Sequence, residues 1–69
     1  MNSKQLEGTW KQVRGKVHEE WGRLTDDDLD VIHGKFDKLV GKIQQRYGIS
    51  REDAERAVSS WWDRIGVEF

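Results

Sequence analysis

Apolar residues recur along this chain at helical spacing, in four successive stretches. Leu6, Trp10, Val13, Val17, Trp21 and Leu24 are separated by four, three, four, four and three positions. That rhythm makes one stripe down one helix. Gly22 stands where a C′ glycine would close it. Thr25 then opens Thr-x-x-Asp, close to a capping box with Asp28 in the acidic position. Asp26, Asp27 and Asp28 fill a first turn, where the helix dipole favours negative charge. The second helix is short, carries Leu29, Ile32 and also Val31, and breaks near Gly34. The third carries Phe36, Leu39, Val40, Ile43 and Tyr47, and Gly48 closes it. Ser50 repeats the cap as Ser-x-x-Asp with Asp53. The fourth carries Ala54, Ala57, Val58, Trp61, Trp62 and Ile65, and frays at Gly66.

The pattern is also a repeat. Shifted by twenty-six, Gly8, Trp10, Val13, Gly15, Lys16, Val17, Trp21 and Gly22 fall on Gly34, Phe36, Leu39, Gly41, Lys42, Ile43, Tyr47 and Gly48. With one deletion, Leu24, Thr25, Asp28, Leu29 and Ile32 fall on Ile49, Ser50, Asp53, Ala54 and Ala57. The unit is a long helix, a glycine stop, a cap and a shorter helix. Neither copy buries its apolar face alone, so the expectation is an all-α fold. Residues 1–69 form one small four-helix domain of two αα-hairpins packed crosswise and related by an internal repeat.

The repeat leaves two glycines unexplained. Capping accounts for Gly22 and Gly48, a helix break for Gly34, and end fraying for Gly8. Gly15 and Gly41 fall roughly opposite their apolar stripes at about 100° per residue. Each costs about 1 kcal/mol relative to alanine. They are tolerated sites, points of close approach for a partner's backbone, or places where the helix bends.

Composition narrows the function. The chain has 69 residues, 35% apolar and 36% charged, and its mean hydropathy is −0.91. Such a chain is near the lower size limit for a self-sufficient core. Four Trp, one Tyr and two Phe supply the buriable surface that a disordered chain lacks. The absence of cysteine excludes a disulfide frame, a thiolate nucleophile and a cysteine-type zinc site. The N-terminal MNSKQLEGTW has no apolar core of a signal peptide, and no apolar run approaches spanning length. The simplest address is the cytoplasm. A net charge of −1 exerts no global pull on nucleic acid or anionic lipid. Charge alternates by segment instead. The first and third helices are net basic (Lys4, Lys11, Arg14, Lys16; Lys35, Lys38, Lys42, Arg46) and the segments after them net acidic.

The joint pattern G-x-W-K-Q-x-x-G-K-V-x-E-x-W-G-x-L-T-D-D-D, then G-K-x-D-x-L-V-G-K-I-Q-x-R-Y-G and a Trp-bearing last helix, resembles the CsbD-like family of small bacterial proteins. The resemblance runs from Met1 to about Trp61. It implies a compact four-helix domain of two crossed hairpins and membership of a general stress response. It implies no catalytic residues, because the family has no established biochemical activity.

Site chemistry is sparse. His18 and His33 have no ligand spacing around them. Asp26, Asp28 and Asp30 space like the first ligands of an EF-hand, but the glycine position is Val31 and the last ligand position Asp37. Ser59 and Ser60 have no histidine nearby in sequence. No enzyme, cofactor or metal site is expected.

Two docking readings remain. Gly48, Ile49, Ser50 and Arg51 are similar to the turn of helix-hairpin-helix modules, where helix N-terminal amides grip a DNA phosphate. Lys11, Arg14, Lys35, Lys38 and Lys42 extend a basic face if the first and third helices lie side by side. Glu52 and Asp53 oppose that reading, and nucleic acid is the less favoured partner. The stretch YGISREDAERAV is also similar to ubiquitin-associated-type modules, which hold proteins on a shallow apolar patch. Trp61 and Trp62 point about 100° apart, so an exposed Trp62 would mark a site for a protein partner or weak self-association. Against both stands bulk protection. Dense mixed charge, glycine and low hydropathy resemble hydrophilins and resist association.

Overall fold

The computed structural model describes residues 3–66, which form four helices: α1 (Ser3–Glu20), α2 (Asp26–Ile32), α3 (Phe36–Tyr47) and α4 (Arg51–Ile65). The fold is all-α, with no strand among the described residues.

The stripe read for α1 is the face it buries. Leu6, Trp10, Val13, Val17, Trp21 and Leu24 all enter one core. Leu29 and Ile32 join it from α2, Leu39, Val40 and Ile43 from α3, and Ala54, Val58, Trp61 and Trp62 from α4. Phe36, Tyr47, Ile49, Ala57 and Ile65 pack half-buried around it. Val31 does not, being 51% exposed. On a two-turn helix the core arc admits Leu29 and Ile32, three positions apart, and turns Val31 outward. α3 is the central element, with α2 and α4 against it and α1 also in contact.

Trp21 and Trp61 meet edge to face at 5.3 Å between ring centroids, and Trp61 meets Trp62 likewise at 6.0 Å. Both adjacent tryptophans of α4 therefore fit the core, and Trp62 is only 8% exposed. Edge-to-face packing lets neighbouring indoles share a wide buried arc.

The helix ends follow the chain's punctuation with two exceptions. Thr25 and Asp28 form a full capping box: Asp28 N–H donates to Thr25 Oγ1 at 3.0 Å, and Thr25 N–H donates to Asp28 Oδ2 at 3.0 Å. Ser50 Oγ accepts from Asp53 N–H at 3.1 Å. Gly48 and Gly66 take left-handed conformations that close α3 and α4. Gly22, expected to close α1, has no positive φ. There the chain turns through Leu24 N–H donating to Trp21 O at 3.0 Å. At the end of α2, His33 itself takes the left-handed cap (φ 44°), one residue before the expected breaker. Gly34 follows at φ 82°. A Cβ there would lie 2.7 Å from Glu7 Cα and 3.0 Å from Trp10 Cβ. Gly34 is the point where the α2–α3 turn touches the α1 backbone. Gly8 sits well inside α1, not at a frayed end.

Candidate functional site

The turn from Gly48 to Ala54 is built by its caps. Gly48 N–H donates to Gln44 O at 2.8 Å, and Ala54 N–H donates to Ser50 O at 3.0 Å. Ile49 leans half-buried on the core. The Asp53 amide, one of the free donors of the α4 N-terminus, is already taken by Ser50. Arg51 is held by two carboxylates, donating from Nη2 to Asp37 at 3.1 Å and from Nε to Glu55 at 2.9 Å. Asp53 pairs with Arg56. Around this turn, Asp37, Glu52, Asp53 and Glu55 outnumber Arg51 and Arg56. A phosphate arriving here meets net negative charge and a committed guanidinium.

The proposed basic face divides in two. Arg14 reaches Asp30 at 2.7 Å and the Asp26 carbonyl at 3.4 Å. Lys35 reaches Glu7 at 2.9 Å, and Lys42 reaches Asp28 at 3.3 Å. Lys11 and Lys38 are exposed, and among the described residues neither makes an ion pair; the same holds for Lys4 and Lys16. Trp62, offered as an exposed anchor, is buried against Trp61.

The strongest electrostatic constellation lies elsewhere, at Asp28. Its side chain is 4% exposed. Arg46 grips it with both prongs, Nε to Oδ2 at 2.9 Å and Nη2 to Oδ1 at 3.0 Å. Lys42 and the Thr25 amide complete the shell. Arg46 foremost, then the Thr25 N–H, holds the carboxyl well below the usual range, against the opposing push of burial. The same pair raises the Arg46 guanidinium further above its ordinary value. Sequence reading assigned Asp28 a cap and Lys42 a place on a basic face, and left Arg46 out of the candidate residues. The signal present was two cations four apart on one face of a helix. Nothing in the sequence said that Asp28 faces them.

This arrangement also removes the EF-hand ligands. Asp28 is committed to α3 and Asp30 to Arg14. Among the described residues no three His, Asp or Glu side chains group to hold a metal. His18, His33, Ser59 and Ser60 are exposed. A shallow cleft of about 240 Å³ lies between the C-terminal ends of α1 and α4, lined by Lys16, Glu19, Glu20, Trp61, Arg64 and Ile65. Glu20 and Arg64 bridge its ends at 3.1 Å. Tyr47 Oη accepts from Arg23 N–H at 3.2 Å, and the Arg23 guanidinium lies 5.3 Å from the ring centroid. No described helix is long and apolar enough to cross a membrane.

Comparison with known proteins adds a lineage. The sequence model of a family described as CsbD-like matches residues 4–56. The UPF0337 protein YjbJ of Escherichia coli K12 is 55% identical over 64 residues, 93% of each chain. A UPF0337 protein of Pectobacterium atrosepticum is 59% identical over 63 residues, 91% of each chain. One from Pseudomonas aeruginosa is 52% identical over 65 residues, 94% of this chain and all of the relative.

Proposed function

Because the chain belongs to the CsbD-like family, we propose that it is a non-enzymatic, cytoplasmic stress-response protein that protects through the bulk chemistry of its surface. The observation that carries this reading is the shell around the core. Among the described residues Val31 is the one large hydrophobic side chain that is exposed. The rest of the surface mixes Lys, Arg, Asp and Glu of both signs. Such a surface stays hydrated and resists association when other proteins crowd together. α2 and α4 are each opened by a Ser or Thr cap with Asp at N3.

A drying assay tests the reading. A labile enzyme is dried and rehydrated with this protein, or with a helical control of equal size and charge. Greater recovery with this protein supports a protective role of its own. Equal recovery removes it.

A docking role is the second reading, and Lys4, Lys11, Lys16 and Lys38, which make no ion pair among the described residues, favour it. On this reading contact with a polyanion runs through these lysines and not through Gly48, Ile49, Ser50 and Arg51. Amide-shift titration with a short DNA duplex at low and physiological salt separates the alternatives. Saturable shifts along α1 that weaken with salt would mark a phosphate contact. Small shifts spread over the whole surface would leave the protective reading in place.

A further inference from the structure

We propose that α2 is an acid-released latch: protonation of Asp28 frees this helix from α3 and uncovers an apolar face that is closed at neutral pH. α2 has seven residues, too few to hold a helix in water without tertiary support. Its apolar hold on the core is Leu29 and Ile32. Its remaining ties are carboxylates and one carbonyl. Asp28 is clasped by Arg46 and Lys42 of α3. Arg14 of α1 reaches Asp30 and the Asp26 carbonyl, both on the outer side of α2. The groups facing Asp28 are therefore Arg46 and Lys42 from α3 and the Thr25 amide at its own cap. Arg14, the basic contact from α1, is turned to Asp30.

In acid the carboxylate ties weaken together. A neutral Asp28 leaves Arg46 and Lys42, one turn apart on α3, without their shared counter-charge, and a neutral Asp30 releases Arg14. The neutral Asp28 side chain is also a poorer acceptor for the Thr25 amide. Protonating the carboxylates leaves twelve Lys and Arg and two His positive, and that repulsion favours opening. The face uncovered is Leu29 and Ile32 of α2 and the core side chains beneath. The inference concerns regulation of exposure, and it stands whether or not the closed protein is a protectant.

Sign and window follow from linkage. Asp28 is held below its ordinary value when α2 is docked, so docking is fully supported above the ordinary carboxylate value of about 4. Support fades as pH falls below it, and the opening equilibrium grows by up to roughly tenfold per pH unit for one proton.

The test is residue-resolved amide exchange from pH 7 to pH 2, read as protection factors, with binding of an apolar dye followed in parallel. The wild type is compared with Asp28→Asn and with Asp53→Asn, the exposed counterpart cap. Expected is reversible loss of protection at Leu29 and Ile32 at a higher pH than at Val58 and Trp61, with dye binding rising alongside. Asp28→Asn opens α2 already at neutral pH, and Asp53→Asn follows the wild type. If Asp28→Asn fails to fold, Arg46→Gln serves instead, with opening shifted to higher pH. Loss of protection in α2 and α4 together at every pH, or an α2 still protected at pH 2, overturns the latch.

Discussion

Gly34 is required by two independent constraints, and Gly15 and Gly41 by neither. A methyl group at Gly34 meets the Glu7 backbone at 2.7 Å, and its φ of 82° is unfavourable for any L side chain. Gly34→Ala is expected to lower the unfolding free energy by about 1–3 kcal/mol in urea titration. At Gly15 and Gly41, inside their helices, nothing lies within 4 Å of an added Cβ. Gly15→Ala and Gly41→Ala should each raise stability by about 0.5–1 kcal/mol in the same titration. If the stabilised variants lose protective action in the drying assay, these two bare stretches of helix are kept for contact or bending. Unchanged action would mark them as tolerated sites.

At the scale of the element, the two caps look alike in sequence and differ in weight. Thr25 and Asp28 satisfy each other's amides, and Asp28 also ties α2 to α3. Ser50 satisfies one amide, and its partner Asp53 is exposed and paired with Arg56 one turn on. Thr25→Ala is expected to cost about 1–2 kcal/mol and Ser50→Ala about 0.5–1 kcal/mol, measured by thermal or urea unfolding. Asp28→Asn keeps a cap acceptor and loses the charge that Arg46 and Lys42 clasp. It should cost about 1–3 kcal/mol at pH 7. That cost should shrink as pH falls below about 4, because the unfolded wild-type chain then takes up a proton that the clasped carboxyl of the folded state resists. A cost unchanged by acid would mean that shape, and not charge, holds the site.

For the whole molecule, the ion pairs say little about stability and much about solubility. Arg14–Asp30, Lys35–Glu7, Arg51–Asp37 and Arg64–Glu20 have largely exposed partners. Such pairs contribute about 0–1 kcal/mol and are screened by salt. The urea midpoint at neutral pH should therefore shift little between low salt and 0.5 M salt. A large fall would mean that the surface network, and not the core, carries the fold. What holds the molecule together is one cluster with four tryptophans in it, a large aromatic share for so hydrophilic a chain.

The stripe of α1, the four helices, the caps at Thr25 and Ser50 and the stops at Gly48 and Gly66 were legible in the chain. Each rests on local physics: spacing against a 3.6-residue turn, a side chain reaching its own helix end, a backbone that needs positive φ. Contacts between elements were not legible. The sequence marked Asp28 as a cap and Lys42 as part of a basic face. Only the docking of α2 on α3 brought them together, with Arg46, into one charge cluster around a buried carboxylate. The chain also placed Trp61 and Trp62 on diverging directions, and only the tertiary packing, with Trp21 edge to face on Trp61, made room for both. Gly34 read as a helix breaker, and its need for glycine at α1 emerged when the turn met Glu7. Local periodicity determines which residues are buried, because it depends on neighbours a few positions away. Which charges are paired depends on residues eighteen apart, and that distance is closed only by the fold.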